Sequence, residues 1–214
     1  MRNLTRKSFV LASLGLAAIP TMAISGCSGD SPWYQLGNLI ALTPEKIVEE
    51  LEDNQGLSYS SESFYSSSSR DYLWEGTPKD WVEASTSIQV MLYKGDTYTS
   101  MSKDELTSGE EVTGAEIYFY TDAFIDGAVE STVNNIVKKC GFSNTEVQGL
   151  DNVTQNVYTA AGRCKSKGQD GYWCVRIWGS DDERDSGVGS IGVYLGKEWA
   201  DKRLSVLEEE VSSE

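Results

Sequence analysis

Displaced by 85 residues, the chain matches itself without gaps. Val48 and Leu51 fall on Val133 and Ile136, and Gly56-Leu57-Ser58 falls on Gly141-Phe142-Ser143. Ile88, Val90, Leu92, Tyr93 and Asp96 then fall on Trp173, Val175, Ile177, Trp178 and Asp181. With a shorter connection, Ile117-Tyr118-Phe119-Tyr120 matches Ile191-Gly192-Val193-Tyr194. Order, spacing and residue type agree, from an amphipathic segment to a glycine cap to alternating strands. A duplicated supersecondary unit therefore constrains the fold.

Each unit reads as αβββ. Thr43-Pro44 starts the first helix, with threonine suited to the N-cap and proline to the first turn. The clearest helix runs from Asp122 or Asp126 to Cys140, with Ile125, Val129, Val133, Ile136 and Cys140 on one stripe. Gly141 stands at its left-handed cap. Ile88 to Tyr93, Ala115 to Thr121 and Val188 to Leu195 read as period-two strands. A polar connection from Thr97 to Thr113 joins two of them. A last helix spans Lys197 to Val211, and Glu208-Glu209-Glu210 opposes its dipole, so fraying is expected there. Short antiparallel strands with one apolar face need helical cover. The expected fold is α+β: antiparallel sheet, helices on one face, a tandem αβββ repeat and a C-terminal helix. The units span 42–122 and 123–214, and they either share a sheet or pack as halves. Tandem helix-plus-sheet repeats of this size resemble the architecture of secreted beta-lactamase inhibitory proteins.

The start of the chain is built differently. Arg2, Arg6 and Lys7 precede an apolar run from Phe9 to Ile24, broken by Gly15 and Pro20, and no acidic residue comes before Asp30. The run falls short of the roughly 20 residues that span a bilayer. It ends in Ile24-Ser25-Gly26-Cys27, which resembles the lipobox of bacterial lipoproteins. That resemblance implies removal of residues 1–26 as a signal peptide and a diacylglycerol on Cys27. Residues 27–41 become the tether, and its apolar part packs on the body. The expected location is the extracytoplasmic side of the cell membrane. Thr5-Arg6-Lys7-Ser8-Phe9-Val10-Leu11 is also similar to a twin-arginine export signal, with Lys7 in place of the second arginine. The general secretory and twin-arginine routes both stay open.

Losing Arg2, Arg6 and Lys7 takes the 18 cations to 15 against 33 acidic residues, a net charge of −18. Such a surface disfavours nucleic acid, which needs basic patches. The chain has no histidine, which removes Ser-His-Asp and Cys-His catalysis and histidine-based zinc sites. No cofactor motif, phosphate loop or nucleophile elbow occurs. Asp181, Glu183 and Asp185 alternate as calcium ligands do, but Ser186 and Gly192 stand where an EF-hand needs glycine and glutamate. No catalytic or metal residue is assigned.

Three cysteines remain after Cys27. A hairpin folded about Gln169 sets Cys164 opposite Cys174, close enough for a disulfide in an export compartment. Cys140, on the helix's apolar stripe, is expected to be a buried thiol. If Ile88 and Ile117 face the core, alternation turns Tyr93, Tyr118, Tyr120 and Trp178 outward as a binding face. The leading reading is a non-enzymatic binding module with a protein or envelope-carbohydrate partner. The alternatives are an envelope polysaccharide hydrolase with paired carboxylates, and a tethered protein inhibitor. Cys27→Ala is expected to abolish lipidation and to shift the protein from the membrane fraction to the soluble fraction. Intact mass checks this, and an unchanged membrane-bound mass contradicts it.

Overall fold

The computed structural model describes residues 36–61, 72–78, 87–179 and 187–212. Cys27, the serine run at 66–69 and the acidic loop with Asp181, Glu183 and Asp185 lie outside them. The fold is α+β, with five α-helices and nine strands among the described residues.

The helices are α1 (Leu36–Leu39), α2 (Pro44–Val48), α3 (Lys103–Thr107), α4 (Val129–Lys139) and α5 (Lys197–Val211). A π-helical turn, Glu49–Asn54, continues α2. The strands are β1 (Ser58–Ser60), β2 (Leu73–Gly76), β3 (Ile88–Lys94), β4 (Thr99–Ser100) and β5 (Gly114–Thr121) in the first half. The second half adds β6 (Thr145–Leu150), β7 (Val157–Ser166), β8 (Gln169–Trp178) and β9 (Gly187–Leu195). All strand pairs are antiparallel, in the order β1-β2-β3-β5-β9-β8-β7-β6, and β4 is an extra partner of β3. One continuous sheet thus joins the two halves at β5 and β9.

The 85-residue displacement carries α2 and its continuation, 44–54, onto α4, 129–139. Gly56 and Gly141 follow with φ of 76° and 67°. After α4 the Gly141 N–H donates to the Lys138 carbonyl at 3.1 Å and the Phe142 N–H to the Val137 carbonyl at 3.0 Å, a Schellman cap. Apart from the two-residue β4, each half carries four strands rather than the three expected, because β1 and β6 add one apiece. The first half also inserts α3 between β4 and β5. Ser102 and Glu105 close a capping box there, a Ser-x-x-Glu signal that was readable within the polar connection.

The faces follow strand alternation. Ile88, Val90 and Leu92 share one face with Ile117, Phe119, Trp173, Val175, Ile191 and Val193, all at most 1% exposed. Leu36, Leu39, Ile47, Leu51, Val133 and Ile136 from α1, α2, its continuation and α4 cover them. Leu36, Leu39 and Ile40 are buried, so residues 36–40 pack on the body. The α5 helix departs from the one-face expectation. Ala200, Leu204 and Leu207 pack on Val147, Ala161, Tyr172 and Cys174, which point to the opposite face. Its C-terminal turn is held despite the three glutamates. The Asn152 N–H donates to the Glu210 carbonyl at 2.7 Å, and its side chain donates to the Ser212 carbonyl at 2.9 Å.

Two further expectations need correction. The α4 helix begins at Val129, so Ile125 leaves the stripe and is 58% exposed. Gly127, at φ 67°, interrupts the chain between them. The Cys164–Cys174 bridge is also absent. The β7–β8 hairpin turns on two residues, Lys167 and Gly168, both at positive φ as a type I′ turn requires. That register sets Cys164 opposite Gly171 and Cys174 opposite Ala161. The two thiols then lie on opposite faces of the sheet. Cys140, Cys164 and Cys174 are free, and burial pushes the Cys140 thiol well above the usual range. Alkylating the denatured chain without reductant is expected to modify all three. Recovery of only one adduct among these positions would restore the bridge.

Candidate functional site

On the face that carries α5, a polar row crosses five strands. Gln89 lies opposite Tyr118, Tyr118 opposite Ser190, Ser190 opposite Arg176, and Arg176 opposite Thr159. Opposed side chains in such pairs stand roughly 5 Å apart. Gln89, Ser190 and Thr159 are 8%, 3% and 1% exposed, so the row sits in the sheet and not at its rim. In the adjacent row Glu116 lies opposite Gly192, and Gly192 opposite Cys174.

Where α5 passes over β8 and β9, it leaves a cleft of about 170 Å³ against β5. Arg203 and Leu207 form the helix wall; Tyr118, Glu116, Ser190 and Arg176 come from the sheet. Trp178, Tyr172, Cys174 and Tyr194 complete the lining. Glycine at 192 makes room for Tyr194. A Cβ there would stand 2.4 to 2.7 Å from the Tyr194 ring and hydroxyl, so that ring folds back over the glycine. It stacks on Tyr172 with centroids 5.0 Å apart.

The charged groups are held from behind. The Tyr93 hydroxyl donates to Glu116 Oε2 at 2.9 Å. Arg176 Nη2 donates to Glu210 Oε2 on α5 at 3.3 Å, and its guanidinium sits 5.3 Å from the Trp178 ring centroid. The Arg176 Nε is buried and has no hydrogen-bond partner among the described residues. The α5 helix is fixed at its other end by an Arg163–Asp201 ion pair and by Trp199 packed 5.4 Å from Tyr98.

All four aromatics expected on a common face do lie on it, but they are used differently. Tyr118 and Trp178 line the cleft. Tyr93 is 9% exposed and supports Glu116 from below, so it is not part of an exposed row. Tyr120 is half-buried outside the cleft lining, and it and Trp178 both stand opposite Val188. The sequence reading missed Glu116, Arg176 and Arg203. The signal was present, since Glu116 is the one charged residue of β5 and Arg176 the one charged residue of the apolar and aromatic stretch from Gly171 to Trp178 in β8.

Burial sets the protonation of the cleft. It pushes the Tyr172 hydroxyl and the Cys174 thiol up to about 12. For Cys174 the Arg176 and Arg203 charges pull down and the Glu116 and Glu210 charges push up, both less than burial does. Tyr93 and Tyr194 rise further, from burial first and the Glu116 carboxylate second. At neutral pH the tyrosine hydroxyls and the Cys174 thiol of the cleft therefore keep their protons. The thiol is protonated there, and the thiolate is the nucleophilic form. Among the described residues, Glu116 is the one buried carboxylate and no cluster has the make-up of a metal site.

No protein-family model matches the chain, and no curated protein matches it. Function is therefore read from the cleft.

The buried phenol and thiol give a pH dependence. An unfolded thiol titrates near about 8.5 and a tyrosine near about 10, below their folded values. The folded chain holds the neutral forms, so their contribution is complete below pH about 8 and is lost as pH rises towards 12. Tyr172 alone contributes on the order of 3 kcal/mol to this loss. Urea midpoints are expected to fall steadily between pH 9 and 12, and less steeply in Tyr172→Phe. Parallel curves for the two proteins would contradict it.

Proposed function

We propose that the chain is a lipid-anchored extracytoplasmic lipoprotein that works as a non-enzymatic binding module. The membrane is reached through the diacylglycerol on Cys27, and the partner is a protein or an envelope carbohydrate. The binding face is the α5 side of the sheet, centred on the cleft. The observation that carries this reading is Arg176, lying against Trp178 in a buried polar row with its Nε unpartnered among the described residues. Aromatic and arginine side chains set in partly buried pockets dominate recognition surfaces. The placement of the chain's entry agrees with it. Leu36, where the described chain begins, packs on the face of the sheet opposite the cleft.

The hydrolase alternative asks for two carboxylates on either side of a scissile bond. The cleft lining supplies Glu116 alone, and Glu210 nearby is engaged by Arg176. No described helix is long and apolar enough to cross a membrane. In this reading, attachment through Cys27 carries the localisation. The test is crosslinking on intact cells with the lipidated protein. Tyr118→Ala and Trp178→Ala are each expected to weaken capture of the crosslinked partner by about tenfold or more. Capture at the wild-type level by both variants contradicts this face as the site.

A further inference from the structure

We propose that the cleft binds a small zwitterion of the α-amino-acid class, its carboxylate on Arg176 and Arg203 and its ammonium on Glu116. This deepens the binding role proposed above and rests on it.

The charges are the first argument. In a chain of net charge −15, two of its 18 cations converge on one cavity. Arg203 makes no ion pair among the described residues. Arg176 has a single 3.3 Å contact with Glu210 and a buried, unpartnered Nε. A guanidinium carries five donors in a planar fork that matches a carboxylate, so both arginines have donors to spare. The Arg176 side chain is 23% exposed, so the cleft opens to solvent.

Glu116 then selects among anions. One of its oxygens takes the Tyr93 hydroxyl, and the carboxylate still faces the cavity. A doubly charged anion such as phosphate is repelled by it, and a simple cation is repelled by the two arginines. A ligand with both charges satisfies both ends. Glu116 and Arg176 stand on strands two places apart and two residues out of register, so their backbones are roughly 12 Å apart. Both side chains line the same cavity from one face of the sheet, where a short ligand can bridge them through hydrogen bonds of about 2.8 Å.

Volume sets the size. A cavity near 150 Å³ takes a ligand of benzene size, and drug-sized sites begin at about 300 Å³. At about 170 Å³ the cleft fits roughly six to ten non-hydrogen atoms. Trp178, Tyr194 and Leu207 offer an apolar wall for a side chain, and Ser190 adds a hydroxyl between the charged ends.

The test is isothermal titration calorimetry of the full lipidated chain in detergent against the free amino acids. Their N-acetyl derivatives, the matching unsubstituted carboxylates and inorganic phosphate complete the panel. One or a few amino acids are expected to bind saturably at one site. Arg203→Gln is expected to weaken them at least about tenfold. Arg203→Lys keeps the charge, loses the fork and should fall between. Glu116→Gln is expected to weaken the amino acid and leave the unsubstituted carboxylate unchanged or tighter. Circular dichroism of each variant confirms that the fold persists. Absence of binding by every amino acid at 10 mM, on the order of a very weak site, overturns the proposal. So does equal binding by an N-acetyl derivative, which points to a peptide C-terminus, or tighter binding by phosphate. Loss of partner capture in Tyr118→Ala and Trp178→Ala with no amino acid bound sinks the ligand and keeps the face. Amino-acid binding with capture unaffected by those variants supports the ligand and sinks the partner face.

Discussion

The pairing of β5 with β9 is the interaction on which the rest of the molecule depends. It runs from Gly114 opposite Tyr194 to Thr121 opposite Gly187, with Ile117 opposite Ile191 at its centre. These two isoleucines are also the residues that the repeat matches to each other. Equivalent positions therefore meet at the junction, as they do across a two-fold dimer interface. That geometry keeps the faces of both halves aligned, so α2 and α4 land on the same side. Unpaired, each half would present a free strand edge. Burying each isoleucine contributes about 1.5–3 kcal/mol. Glycine in β9 makes room for the fit, because a Cβ on Gly189 would stand 2.3 Å from the Phe119 ring.

A continuous sheet has two faces, and the duplication provides a helix for only one of them. The other is covered by α5, which packs on β6, β7, β8 and β9 and has no counterpart among the described residues of the first half. The site is a consequence of that asymmetry. Where the helix ends its cover, the sheet passes from the apolar contacts of Ala161 and Leu204 to the polar row through Ser190 and Arg176. The cleft is the boundary between these two environments. Its far wall is held by contacts remote from it, among them Asn152 on the last helical carbonyls.

Much of this was legible in the sequence because it rests on local period. The stripe Ala200, Leu204 and Leu207 and the alternation from Ile88 to Tyr93 are local facts, and both appear in place. The errors share a cause. Register in a hairpin is decided by the turn, and reading the turn at Gln169 rather than at Lys167-Gly168 moved Cys164 and Cys174 across the sheet from where they stand. Ile125 fits the helical period, but Gly127 ends that continuity. Helix fraying was argued from three glutamates and overruled by Asn152, 57 residues before Glu209. The cleft itself was half legible. Alternation put Tyr118 and Trp178 on the right face, but only the strand order brings Glu116 of β5 near Arg176 of β8.

The repeat also separates what the scaffold needs from what the site adds. Under the displacement of the β3–β8 region, Arg176 corresponds to Met91. Under the shorter displacement of the β5–β9 region, Glu116 corresponds to Ser190. The same positions in the same architecture are thus filled without charge in the other half. Bringing a carboxylate and a guanidinium into a sheet costs desolvation, and apolar replacements of buried ion pairs are often neutral or stabilising. The fold does not require Glu116 or Arg176, and it holds each with a dedicated partner, Tyr93 and Glu210. Charges that the scaffold does without in one half and positions with care in the other are what the proposed binding role would call for.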